Sequence, residues 1–243
     1  MSFFGNAAGQ RALLEHQKGN YGKAEQMYEA ALQKGADKAG ILIGYAVLLT
    51  RVGKYEKSVE LLRNAEKARD VSKEQKSQIV LHYAVAQYKL GNIAKAVELC
   101  RELFRTRKTG LLYDTLGYLL IEAGDYEEAL AFNREAVEYD DEDAVALDNL
   151  AQTYLRLGND PDSARIWFEK ARAVKPDQID TLYFLAQYDQ KNGDLDAARE
   201  KLEHAAEGRF SPLNYATKER VLEALQALGA GRRDSGKVVN KSE

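Results

Sequence analysis

Residues 124–137 read GDYEEALAFNREAV, and the reading of this stretch decides the fold. Four carboxylates crowd it (Asp125, Glu127, Glu128, Glu135), and a denser acidic run, EYDDEDA at 138–144, follows. Alone it resembles a metal loop or an acid–base site. Along the chain it has relatives: GNYGKAEQMYEAAL from Gly19, GKYEKSVELLRNAE from Gly53, GNIAKAVELCRELF from Gly91, GNDPDSARIWFEKAR from Gly158 and GDLDAAREKLEHAA from Gly193. Successive glycines lie 34, 38, 33, 34 and 35 residues apart. A period of this length, held through six copies, marks a stacked-repeat architecture.

Small residues explain the period. Seven positions before the glycines stand Ala12, Ala46, Ala84, Gly117, Ala151 and Ala186. Shortly after them stand Ala24, Ser58, Ala96, Ala129, Ala164 and Ala198. Two helices joined by a tight turn approach closely only where side chains are small. The glycine permits the left-handed backbone that ends the first helix. Larger residues such as Tyr28, Leu62, Phe168 and Leu202 fill the space that remains.

The pattern resembles the tetratricopeptide repeat, a helix–turn–helix unit of about 34 residues. The fourth copy carries Tyr113, Leu116, Gly117, Gly124, Tyr126, Ala129 and Ala136 at the family's positions, and the fifth adds Pro176 where the family ends its second helix. The resemblance implies an all-α, right-handed solenoid of about six units, 5–38, 39–76, 77–109, 110–143, 144–178 and 179–210. KARDVSKEQKSQ (67–78) lengthens one junction, and GNDPDSA carries one extra residue in its turn. The stretch 211–228 is expected to form a capping helix, with Ser211 as its cap and Pro212 in its first turn. Residues 229–243 lack an apolar period and are expected to form a mobile tail.

Composition agrees and narrows the function. Apolar residues make up 45% and charged residues 30% of the 243, with only three prolines. A net charge of −3 argues against a nucleic-acid binder, which needs a basic surplus. The single cysteine, Cys100, allows no internal disulfide, and it occupies the core slot of Tyr28 and Phe168. No apolar run is long enough to span a bilayer, and the N-terminal residues lack a signal-peptide pattern, so a cytoplasmic protein without membrane insertion is expected.

No catalytic residue is assigned. His16, His82 and His204 fall in different units and share no ligand spacing. EYDDEDA lacks the alternation and central glycine of a calcium loop, so its acids are read as the start of the next first helix, where the helix dipole favours them. No phosphate-cradling loop appears. No enzyme activity, metal or cofactor is expected.

Function is then expected on surfaces, chiefly the groove lined by first helices. Register with the family points to Ile43, Val47 and Thr50 in the second unit, Leu81, Val85 and Tyr88 in the third, and Asp114, Tyr118 and Ile121 in the fourth. The fifth offers Asp148, Gln152 and Leu155, and the sixth Tyr183, Gln187 and Gln190. This lining is apolar in the second to fourth units and polar afterwards. The expected function is a non-catalytic interaction module or scaffold that takes a peptide or helix of a protein partner. The alternative is an accessory subunit of an enzyme, secretion or envelope-assembly complex. Self-association through an exposed groove or edge helix is a further expectation to test, as is a groove filled by the chain's own terminus.

Overall fold

The computed structural model describes residues 3–235. Among them are thirteen α-helices and no strand. The chain divides into two compact units, one ending at Leu112 and the other beginning at Tyr113.

The first unit holds α1 (Phe3–Gln17), α2 (Tyr21–Gln33), α3 (Ala39–Arg51), α4 (Tyr55–Glu66), α5 (Lys73–Lys89) and α6 (Ile93–Thr106). Consecutive helices pair as α1 with α2, α3 with α4 and α5 with α6, and α3 also packs on α1 and α5. The small residues sit where the pairs meet: Ala12, Ala24, Ala46, Ser58, Ala84 and Ala96 are fully buried. Tyr28 and Tyr45 stack with ring centroids 4.8 Å apart. The extra residues at the second junction add a turn to the start of α5. Ser72 caps that turn in a reciprocal capping box with Gln75.

The second unit holds most of α7 (Gly110–Ala123), then α8 (Tyr126–Tyr139), α9 (Ala144–Gln152), α10 (Pro161–Val174), α11 (Ile179–Lys191), α12 (Leu195–Glu207) and α13 (Lys218–Ser235). Tyr113 of α7 lies 5.6 Å from the Phe132 ring of α8. Pairs α9–α10 and α11–α12 follow, and α13 packs on α12. Phe168 is fully buried and stacks on Phe184 at 5.0 Å.

Two expectations need correcting. The extra residue of the fifth unit does not lie in its turn. It is absorbed as a π-helical segment, Thr153–Leu157, that continues α9, with Gly158 N–H donating to Thr153 O. Gly19, Gly53, Gly91, Gly124 and Gly193 have φ between +81° and +86°, whereas Gly158 has φ −82° and the left-handed position passes to Asn159. Gly158 serves a close approach instead, since a Cβ there would sit 2.7 Å from the Tyr126 ring.

The terminal helix is also displaced. Residues 211–217 form turns, and α13 starts at Lys218 rather than 211. Thr217, not Ser211, stands in the cap position, its Oγ1 accepting from Arg220 N–H at 3.3 Å. The helix runs through 229–235, where the sequence predicts a tail, and 236–243 lie outside the described residues.

Candidate functional site

The acidic stretch 124–137 is architectural. Asp125 caps α8 by accepting from Glu128 N–H, and Ala129 and Ala136 are buried. In EYDDEDA, Asp143 caps α9, accepting from the N–H groups of Val145 and Ala146. At the end of α6, Arg107 pairs with Glu74. Cys100 lies in the core, where burial pushes its thiol up to about 12. His204 is exposed. Among the described residues no group of His, Cys, Asp or Glu is placed to hold a metal ion, and no helix is long and apolar enough to cross a membrane.

The expected groove lining divides sharply by burial. Ile43, Leu81, Val85, Tyr118 and Ile121 are buried, as are Asp148 and Gln152. Val47, Tyr88 and Asp114 are half-buried. Thr50 faces its own second helix, where its hydroxyl meets Ser58 Oγ at 2.8 Å. Leu155 and Tyr183 are half-buried, and Gln187 and Gln190 are exposed. A spacing of i, i+4, i+7 selects one face of an isolated helix. In the stack that face is partly consumed by neighbouring first helices, so buried members such as Val85 and Tyr118 offer no free contact surface.

In the second unit two of the polar members, Asp148 and Gln152, join a buried network. The Asp148 carboxylate accepts from Thr181 Oγ1 at 2.6 Å and from Gln152 Nε2 at 2.6 Å. Arg156, on the π-helical segment, bonds Glu122 at 2.6 Å and Gln152 Oε1 at 3.0 Å. Asp180 of α11 accepts from Ala216 N–H at 2.8 Å, Tyr215 N–H at 3.1 Å and Asn214 Nδ2 at 3.2 Å. The Tyr215 ring stacks on Phe184 at 5.1 Å, and the guanidinium groups of Arg156 and Arg220 lie 4.1 and 4.3 Å from its centroid.

Carboxylates here are held far from their ordinary state. Burial, then repulsion from Asp180, pushes Asp148 up to about 7, and burial raises Asp180 as well. Asp114 rises to about 7 through burial and the nearby Asp143 and Asp140. One of its oxygens is buried with no hydrogen-bond partner.

Sequence reasoning missed Arg156, Asp180, Tyr215 and Asn133. Asn133 is fully buried in the slot that Tyr28, Leu62, Cys100, Phe168 and Leu202 fill in other units. The repeat register alone could have exposed it, nine positions after Gly124. Nothing in the pattern signalled Tyr215.

Paired helices with small residues at each meeting point define a helical-repeat scaffold of the kind that presents first-helix faces to other proteins. The chain belongs to the tetratricopeptide repeat family, whose sequence profiles match residues 15–77 and 115–179. Among curated proteins none matches the sequence. Solved structures share the fold. A tetratricopeptide repeat protein from Parabacteroides merdae superposes with TM-score 0.73 at 15% identity, covering 91% of this chain and 83% of that one. PilW, a type IV pilus biogenesis factor, gives 0.66 at 18% identity over 94% and 99%. TTC0263, a protein of Thermus thermophilus, gives 0.62 at 21% over 79% and 99%.

Proposed function

We propose that the protein is a non-catalytic scaffold that binds a peptide or helix of a protein partner along its first-helix faces. The observation that carries this reading is the set of first-helix residues left accessible after stacking: Val47 and Tyr88 in the first unit, and Asp114, Tyr183, Gln187 and Gln190 in the second. Aromatic side chains such as Tyr88 and Tyr183 supply contact area with few rotatable bonds and a polar tip, a combination that suits a protein interface. The remaining apolar groove positions act through packing, holding these residues in place.

The test is affinity capture with wild type and a Tyr88→Ala, Tyr183→Ala variant. Both positions are half-buried, so the variant is expected to keep its helical content by circular dichroism. Partners bound along these faces are expected to be lost at least tenfold from the variant. Equal capture by both proteins would sink the reading.

A further inference from the structure

The α12–α13 connection is fastened to the second unit by a buried carboxylate. Residues 211–217 carry no helix, yet Asp180 gathers three of their donors: the backbone N–H groups of Tyr215 and Ala216 and the Asn214 amide. Both Asp180 oxygens are acceptors in this arrangement, which suits an ionised carboxylate. Asp148 is buried beside it on α9, bonded to Thr181, the residue after Asp180. Two buried carboxylates this close resist carrying two charges at once.

The surrounding charges do not resolve the conflict. Arg156 is the cation that acts on both carboxylates, and it is already shared with Glu122 of α7 and Gln152 of α9. From the connection itself, the Tyr215 ring covers Arg156, with Arg220 of α13 also against the ring. From α11 comes the Thr181 hydroxyl. Asp148 has two donors, Gln152 Nε2 and Thr181 Oγ1, against the three of Asp180, so the proton that relieves the pair goes to Asp148, whose O–H then donates to the Thr181 hydroxyl across the same 2.6 Å.

We propose that the Asp148–Asp180 pair is a proton-dependent clasp that holds the 211–217 strap against α9 and α11 and lets it open when Asp148 loses its proton. The open strap uncovers Arg156 and Asp180 and admits water to the pair, which relieves the repulsion. The Tyr215 ring of the strap lies 6.3 Å from that of Tyr183, but the clasp is read by hydrogen exchange and not by partner capture, so its failure and that of the scaffold reading are distinguishable.

Burial places the change near neutrality, with Asp148 raised to about 7. A group that titrates at about 7 when clasped and at an ordinary carboxylate value when open makes opening about tenfold more frequent at pH 8.5 than at pH 6. Hydrogen–deuterium exchange of the full chain, read by mass spectrometry on peptides covering 210–217, measures this. Rates are divided by the intrinsic rate at each pH and compared with peptides from α3. The expected result is a tenfold gain in corrected exchange for 210–217 between pH 6 and pH 8.5, with α3 unchanged. Asp148→Asn is expected to hold exchange slow at both pH values. A corrected gain below threefold in wild type overturns the clasp, and so does an Asp148→Asn variant that shows the full wild-type gain. Should that variant fail to fold, the wild-type comparison decides alone.

Discussion

The two units are built on one repeat and stabilised differently. In the first unit the second helices start without side-chain caps: Asn20, Lys54 and Asn92 make no capping bond. In the second, Asp125, Asp160 and Asp194 each cap theirs. The core contrast is sharper. Both units bury large apolar side chains, among them Tyr28, Tyr45 and Leu62 in the first and Leu116, Leu119 and Phe168 in the second, and the contrast lies in the polar ones. The second places Asp148, Asn149, Gln152, Thr153, Asp180 and Thr181 among its buried residues. The same architecture thus tolerates a polar interior where donors and acceptors are matched, and buried polar groups are tolerable only when they are. Among the described residues the mismatches that remain are Asp114 Oδ1 and Asn133 Oδ1, both in the second unit.

The largest way to test this contrast is through an apolar anchor of the second unit. Phe168 is fully buried between Ala151, Ala164, Phe184 and Leu185. Phe168→Ala is expected to cost about 3–5 kcal/mol, the usual range for truncating a buried ring. The chain has one tryptophan, Trp167, adjacent to it, so tryptophan fluorescence during urea unfolding reports on the second unit. A loss under about 1 kcal/mol would mean that this core is not closed around Phe168.

The next effect is in pH. Asp148 and Asp114 both have folded-state values of about 7 against a reference of 3.8. The folded second unit then holds protons that the unfolded chain releases. Stability is highest while both groups are protonated, falls as pH rises from about 4 to 7, and stays low above that. Each unit of retained shift is worth about 1.4 kcal/mol. The midpoint of thermal unfolding, followed by Trp167 fluorescence, is expected to rise by several degrees from pH 8 to pH 5. Asp148→Asn is expected to remove much of that rise. A midpoint that falls steadily between pH 8 and 5 would refute the assignment. The first unit supplies the contrast: Glu15, bonded by Asn20, Lys23 and Lys18, is lowered from 4.5 to about 2, so its contribution is present above about 4.5 and is lost as pH falls from there to about 2.

How far these features were legible in the sequence follows from what repeats. Helix pairing, turn glycines and meeting points such as Ala129 recur at a fixed period, so one copy interprets the others. Glu127 and Glu128 stopped looking like chemistry once Gly124 fell into register. The groove was less legible. Val85 and Tyr118 lie on a face that helical geometry selects correctly but that neighbouring helices cover, and one-helix spacing carries no information about neighbours. Asp180 and Tyr215 meet across 35 residues, one repeat step, but Tyr215 lies in a connection beyond the last copy of the repeat, where no register reads it. The cap misassigned to Ser211 has the same origin: the donors of 214–216 are drawn to Asp180, and the helix cannot start until they are satisfied.

A smaller effect isolates the polar slot. Gly117 has room for no Cβ, because one would lie 2.2 Å from Asn133 Oδ1. Gly117→Ala is expected to cost about 1–3 kcal/mol as an overpacked core. In an Asn133→Ala background the clashing atom is gone, and the same substitution is expected to cost markedly less. The double-mutant cycle should then show a favourable coupling of about 1–2 kcal/mol, within the range for residues in contact. Strict additivity would show that the glycine is kept for another reason.

The smallest effect returns to the helix starts. The Asp125 carboxylate accepts from Glu128 N–H at 3.0 Å, satisfying one of the orphan donors of α8, whereas Asn92 makes no such bond at the start of α6. Asp125→Ala is expected to lower the stability of the second unit by about 1 kcal/mol. Asn92→Ala removes only the side-chain bond from Asn92 Nδ2 to Gln87 at 2.8 Å and leaves the helix start as it was. Its cost is expected to stay within about 0.5 kcal/mol, the scale of a substitution away from any cap. Urea unfolding of the two variants side by side reads the difference. Equal losses would mean that the cap hydrogen bond is not what distinguishes the two units.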